Sequence, residues 1–245
     1  TGSNNTASGY NSLFSNTTGI KNTASGTEAL NTNTTGNSNT ATGYRSLYSN
    51  KTGYNNSANG HESLYSNSSG PYNTANGFQS LYSNTSGSGN VASGVGALYN
   101  NTIGGTNVAI GYNALYNLTS GNNNIGIGYL AQVPISFGSN QVRIGNSAVN
   151  YAGIQVAWDI TSDIRWKDKI RPLPYGLNMI TQLQPVDYVR KNNEKQKREI
   201  GFIAQDVKAL LEKLGYPDQG LLSTDDNGYM SLRYNDFIPV LVKSI

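Results

Sequence analysis

The chain has 245 residues, a net charge of +3 and no cysteine. So small a charge gives no reason to expect a nucleic-acid partner, and a chain without cysteine has neither disulfides nor a thiolate metal site. No apolar run approaches the length that spans a bilayer, so we expect no membrane insertion of this segment. No residue pattern points to a cofactor or a metal ion, and we expect neither.

The first half of the chain repeats every 17 residues, and the period predicts its architecture. Each unit carries two glycines, a leucine and a closing asparagine at fixed places, as Gly43, Gly53, Leu47 and Asn56 do. Because the chain opens inside a unit, we expect more sequence before residue 1. The aligned units begin at Thr6, Thr23, Thr40, Ser57, Thr74, Val91, Val108 and Ile125.

One unit has too few apolar side chains to fold alone. Its apolar residues are typified by Ala41, Tyr44, Leu47 and Tyr48. Ordering the backbone costs about 1–2 kcal/mol per residue, whereas each buried side chain returns only about 1.5–3 kcal/mol. The units must therefore stack, and the pattern predicts a mainly β fold with a β-solenoid over 1–132, short strands and glycine turns of positive φ.

A 17-residue coil encloses little interior, so we expect the solenoid to bury one face against copies of itself in a homotrimer. A monomeric β-helix is the alternative. Residues 108–115 (VAIGYNAL) and 125–128 (IGIG) resemble the head repeats of trimeric autotransporter adhesins. That resemblance implies small β-roll coils from three chains packed around one axis, on an extracellular fibre.

The repeats are almost uncharged: residues 1–124 contain only Lys21, Glu28, Arg45, Lys51 and Glu62. We therefore expect a surface of Asn, Ser, Thr and Tyr. Such a surface suits hydrogen bonding and stacking on sugars, so a cell-surface glycan or receptor is a candidate partner. A passive, soluble spacer fits the same composition.

Residues 133–160 depart from the repeat and are interpreted as a β neck. Two short strands are predicted there, at 141–144 and 153–158, because both stretches are rich in β-branched or aromatic residues.

From residue 161 onward the chain is richly charged and predicts a small α+β domain, 161–245. Apolar periodicity indicates a helix with Leu177, Ile180 and Leu183 on one face, and a second helix that stops at Gly215. The predicted elements are helix 174–184, strands 185–189 and 199–203, helix 204–214, a turn at 226–228, strand 229–233 and helix 234–245.

Ser162 and Lys167 form a candidate catalytic pair at the start of this domain. A serine hydroxyl needs a base, and lysine serves only when neutral, although an ordinary lysine is charged at pH 7. Desolvation or nearby cations favour the neutral form, and Arg165 and Lys169 are close in sequence. On a helix the two residues lie about 140° apart, and on a strand they face opposite sides, so a bend or a partner subunit must bring them together. Alternatively, Ser162 only caps a helical turn and Lys167 is solvated.

Several ordered motifs in 159–245 resemble the intramolecular chaperone domain of endosialidase tailspikes. They are SDIRWKDKI at 162–170, LQPV at 183–186, IGFIAQDV at 200–207, NGY at 227–229, and the stretch 234–241. Trp166 departs from the family, which more often has an aliphatic residue there.

The resemblance implies that the domain trimerises the fibre before it and then cuts itself off once. Ser162 is then the nucleophile, Lys167 its base, and Thr161–Ser162 the scissile bond of a single-turnover serine endopeptidase. The chain is accordingly interpreted as an extracellular fibre or adhesin, on a cell surface or a phage virion. The alternative is a passive assembly and release device for an enzymatic or other payload upstream of residue 1.

Overall fold

The computed structural model describes residues 2–149, 152–153, 161–191, 198–216 and 220–245. The chain divides into two compact units, Thr1–Ala148 and Val149–Ile245. The first unit extends past residue 132, where we expected the solenoid to end. No helix among the described residues is long and apolar enough to cross a membrane.

The first unit is a β-solenoid in which each coil contributes one short strand to a parallel sheet of nine strands. Neighbouring strands pair in register 17 residues apart, as Ala41 with Ala58, which confirms the mainly β solenoid and its repeat. The strands are β1 Thr6–Ser8, β2 Thr23–Ser25, β3 Thr40–Thr42, β4 Ser57–Asn59, β5 Thr74–Asn76, β6 Val91–Ser93, β7 Val108–Ile110, β8 Ile125–Ile127 and β9 Val142–Ile144.

The strand β9 lies in the stretch that we interpreted as a neck. Its prediction as a strand is confirmed, and it pairs with β8 through Ile125 and Val142, so it adds a further rung to the sheet. Of the second predicted neck strand, 153–158, only Gly153 is described. The rest of that prediction lies outside the described residues.

The interior of the solenoid is one continuous apolar column. In β2 to β7 the middle residue is a buried alanine, such as Ala58, and it lies in the same core as the leucine of the repeat, such as Leu64. Both are fully buried, and Leu118 extends the column. The core is therefore shared between neighbouring coils, as a unit unable to fold alone requires.

Two asparagines are buried in each of the coils from Asn22 to Asn101, although we expected asparagine on the surface. Asn56 accepts a hydrogen bond at Oδ1 from the backbone N–H of Asn73 and donates from Nδ2 to the carbonyl of Gly70, both at 2.9 Å. In a second ladder the Nδ2 of Asn67 donates to the Oδ1 of Asn50 at 2.8 Å. The surface prediction fails here because coil corners turn backbone polar groups inward, and amide side chains supply their partners.

The second ladder ends at Asn101. Position 118, one repeat further on, is a leucine, so no asparagine amide follows. The Oδ1 of Asn101 is buried and has no hydrogen-bond partner among the described residues.

The two glycines of a repeat serve different purposes. The first has the positive φ that we predicted, for example +140° at Gly60. The second does not: at Gly53 a Cβ would overlap the Oδ1 of Asn50 and lie 2.9 Å from the carbonyl oxygen of Gly70. Close stacking of coils, rather than a left-handed turn, therefore excludes a side chain at the second glycine.

Five half-buried tyrosines form a stacked column along the solenoid, with ring centroids 5.0–5.2 Å apart. Burial raises the pKa of Tyr82 in the middle of the column. Because each ring covers its neighbours, the faces on which a sugar would stack are occupied within the column. The five are Tyr48, Tyr65, Tyr82, Tyr99 and Tyr116.

The second unit is a small region of helices and strands, as the sequence predicted, with one strand, 222–224, that was not predicted. Its elements are the helix α1 Leu177–Ile180, the antiparallel strands β10 Pro185–Val189 and β11 Arg198–Phe202, the helix α2 Ala204–Lys213, the hairpin of β12 Leu222–Thr224 and β13 Met230–Leu232, and the helix α3 Phe237–Ser244. Their buried core consists of Tyr175, Met179, Val207, Leu211, Leu221, Phe237 and Val240.

The helix α1 is much shorter than the predicted 174–184, and only part of its predicted apolar face is buried. Gly176 precedes it with non-helical dihedrals, and the chain must be extended before Pro185, so one turn remains. Ile180 and Leu183 pack against the core as predicted, but Leu177 is 59% exposed and the buried Met179 takes its place.

Candidate functional site

The segment around Ser162 is a tight turn. A 3₁₀ helix spans Ile164–Trp166, and Asp163 caps it by accepting the backbone N–H of Arg165 at 2.8 Å. The N–H of Lys167 then donates to the carbonyl of Ile164 at 3.0 Å, which closes the turn. The chain is thereby folded back upon itself between positions 162 and 167.

The turn brings the two predicted catalytic side chains together. The Nζ of Lys167 donates a hydrogen bond to the Oγ of Ser162 at 2.7 Å. The five-residue spacing required either a bend or a partner subunit to bring the two residues together, and a bend within one chain is sufficient. The cap of the helical turn is Asp163 rather than Ser162, so the hydroxyl is left for Lys167. Thr161, on the other side of the predicted scissile bond, is exposed.

Arg165 is engaged with Asp163. Its Nη2 lies 2.6 Å from the Oδ2 of Asp163, and its Nε bonds both carboxylate oxygens. These hydrogen bonds lower the pKa of the Asp163 carboxyl and raise that of the guanidinium. The charge of Arg165, which we expected to act as a nearby cation at the site, is thus compensated locally by Asp163.

The pair is open to solvent in a single chain. Ser162 and Lys167 are exposed, and the intervening apolar side chains of Ile164 and Trp166 are 71% and 82% exposed. Because burial is the main effect that favours an uncharged lysine, one copy of this segment supplies little of it.

Two further features of the second unit bear on other kinds of site, within the residues that the structure describes. An open groove of about 290 Å³ is lined by apolar and aromatic residues that include Phe202, Met230 and Tyr234, and it contains neither Ser162 nor Lys167. Among the described residues, no group of three or more His, Asp or Glu side chains is placed to hold a metal ion.

Residues 162–216 match the family model described as the chaperone of endosialidase. The matched segment begins at Ser162 itself and covers 55 of the 245 residues (216 − 162 + 1). It supports an intramolecular chaperone role for the second unit, in agreement with the resemblance of its motifs. Neither the curated proteins nor the solved structures contain a significant match to the chain.

Sequence reasoning missed two contributions. The capping role of Asp163 was signalled by an acidic residue before a short apolar turn, which is a common N-cap pattern. The buried asparagines were signalled by their strict recurrence every 17 residues, since surface positions in the same repeats vary freely.

Proposed function

We propose that this chain is part of a homotrimeric extracellular fibre, on a cell surface or a phage virion, whose second unit assembles the fibre and then cuts itself off between Thr161 and Ser162. The observation that carries the proposal is the 2.7 Å contact between Lys167 Nζ and Ser162 Oγ, at the first residue of the matched chaperone segment.

The helix α3 supports assembly with other copies. Phe237 and Val240 are buried in the core, yet Ile238, Leu241 and Val242 on the remaining surface are 58%, 47% and 68% exposed. A helix that is apolar all round is normally covered on every side. In the proposed trimer, neighbouring copies cover the outer face of α3.

The proposed reaction begins with Ser162. Its Oγ attacks the carbonyl carbon of Thr161 while a neutral Lys167 takes the hydroxyl proton. The C–N bond then breaks, the proton passes to the departing amide nitrogen of Ser162, and the acyl group of Thr161 remains on Oγ as an ester. Water hydrolyses this ester to give the carboxylate of Thr161 and the free hydroxyl of Ser162. Each chain reacts once, because the bond cut is the one that precedes its own nucleophile.

Assembly and cleavage are coupled in this proposal. The exposed site gains the desolvation that a neutral lysine needs only when another surface covers it. Ile164 and Trp166 lie between Ser162 and Lys167 in sequence, and their exposed apolar side chains would be buried by such a surface. Cleavage therefore follows trimerisation and reports that the chains have assembled.

The role of the solenoid is proposed from its surface. This surface carries few charges and many exposed Asn, Ser and Thr side chains. It suits either the binding of a cell-surface glycan or receptor, or a role as a soluble spacer.

The experiment compares wild type with Ser162→Ala and Lys167→Ala by denaturing electrophoresis and intact mass. Wild type should yield a fragment that begins at Ser162, and both variants should stay full length while light scattering still gives three times the chain mass. Lys208→Ala is the matched control, since it removes an exposed ammonium group of the second unit that pairs with Glu212 and not with Ser162, and it should be cleaved. Cleavage of Lys167→Ala at the wild-type rate, or a monomeric wild type, would refute the proposal.

A further inference from the structure

The outward side chains of the last three strands form what we call the apolar strip. In β2 to β8 the middle residue is buried in the coil and the two flanking residues point outward, as the burial of Ala109 between Val108 and Ile110 shows. In β7, β8 and β9 all flanking residues are β-branched and apolar. The apolar strip consists of Val108, Ile110, Ile125, Ile127, Val142 and Ile144.

The same positions are polar in the earlier coils. The flanking residues of β1 to β5 are threonine, serine or asparagine, and in β6 only Val91 is apolar. Since all nine strands pair in one parallel register, the pairing itself does not require the change. Members of the apolar strip in β7 and β9 are open to solvent: Ile110 is 45%, Val142 63% and Ile144 66% exposed. A contiguous exposed apolar surface of this kind marks an interaction site.

The apolar strip carries no repelling charge. Arg143 is the only charged residue in 108–149. It occupies the middle position of β9, and its Nε donates to the carbonyl of Gly145 at 2.9 Å. Identical copies of this surface therefore approach each other without opposing charges.

Its layout suits a copy of the same chain. The members of the apolar strip recur every 17 residues in a parallel ladder, so equivalent residues lie on neighbouring rungs about 4.8 Å apart. When parallel copies surround a common axis, each rung meets its own equivalent, so Ile127 faces Ile127. A repeat of like residues along one line satisfies that symmetry.

The position of the apolar strip along the chain favours the same occupant. Ile144 precedes Ser162 by 18 residues (162 − 144), which an extended chain spans in about 60 Å at most. A chaperone segment that gathers three chains would hold their apolar strips at high effective concentration.

We infer that the apolar strip is the surface through which copies of the solenoid join, and that this interface is confined to the coils of β7 to β9. The polar coils before them are then free of the interface. The inference rests on the proposed trimer and adds to it which face and which coils make the contact.

The test uses the cysteine-free background of the full-length chain. Ile110→Cys places one thiol on the apolar strip, and Thr119→Cys, the matched control, places one on an exposed position elsewhere in the same repeat. A disulfide forms only when the two Cα atoms come within about 7 Å. After mild oxidation at micromolar concentration, Ile110→Cys should run as a disulfide-linked dimer on a non-reducing denaturing gel. Thr119→Cys should remain a single chain.

A second variant, Ile127→Cys, guards against local misfolding at one site and should behave like Ile110→Cys. A trimer by light scattering that cross-links at neither strip position would overturn this inference and leave the proposed function standing. Equal cross-linking at Thr119→Cys would also overturn it, since contact would then be unspecific. A wild-type chain that is monomeric by light scattering would refute both this inference and the proposed function.

Discussion

The two units of this chain satisfy their surfaces in different ways. In the solenoid, alanine and leucine columns and asparagine ladders repeat from coil to coil, and each coil completes the next. In the second unit, a core of seven buried residues coexists with large apolar side chains that remain open, among them Trp166, Ile200 and Val242. Inside the solenoid, repetition thus supplies the partners of each coil within one chain, whereas the second unit leaves many large apolar side chains outside its core. The apolar strip is the counterpart of those side chains in the solenoid.

The largest expected contrast is between glycines of the two units. A Cβ on Gly60 would lie 2.5 Å from the carbonyl oxygen of Gly77, at a φ of +140°. On Gly228, at φ +82°, it would meet nothing within 4 Å. Gly60→Ala should therefore lower the free energy of unfolding by at least about 3 kcal/mol, and Gly228→Ala by only about 1–2 kcal/mol. Urea denaturation followed by circular dichroism measures both. If the two variants lost similar amounts of unfolding free energy, neighbouring coils would be able to move apart more easily than these distances imply.

A second contrast concerns polar interactions. Asn73→Ala removes the partner of the buried N–H of Asn90 and of the carbonyl of Gly87, so unfolding should become about 2–4 kcal/mol easier. Asp187→Ala removes an exposed ion pair with Arg198 and should cost at most about 1 kcal/mol. The same urea measurement compares them, and an Asn73→Ala loss as small as that of Asp187→Ala would mean that water replaces the amide in the ladder.

The smallest expected effect is a titration. Because hydrogen bonds from Arg165 lower the pKa of Asp163 on folding, the pair stabilises the folded state above the unfolded pKa, and this contribution is lost as the pH falls through the folded pKa. Arg165→Met should raise the pKa of Asp163 towards its ordinary value, as measured by NMR of the carboxyl carbon. Arg171→Met, a nearby exposed arginine, is the control and should leave it in place. An unchanged Asp163 titration in Arg165→Met would show that the ion pair does not persist in solution.

Much of the fold followed from the sequence. The 17-residue period predicted the solenoid, and the register of Ala41 with Ala58 follows the same alignment. The helix α2 and the hairpin before α3 also lie where apolar periodicity and turn residues placed them. The helix α1 did not, because its length depends on how Gly176 and Met179 meet the rest of the core, which local periodicity does not encode.

For the candidate site, the sequence determined which residues have the necessary chemistry: a hydroxyl at position 162 and an amine at 167. Their meeting was decided by the tertiary structure, since a spacing of five residues separates side chains on any regular element. The 3₁₀ turn capped by Asp163 reverses the chain and brings Nζ to Oγ. In the solenoid, likewise, the sequence determined the period, but only the folded coils decided that asparagine turns inward. Backbone groups at the coil corners need partners there, and composition alone does not reveal where those groups point.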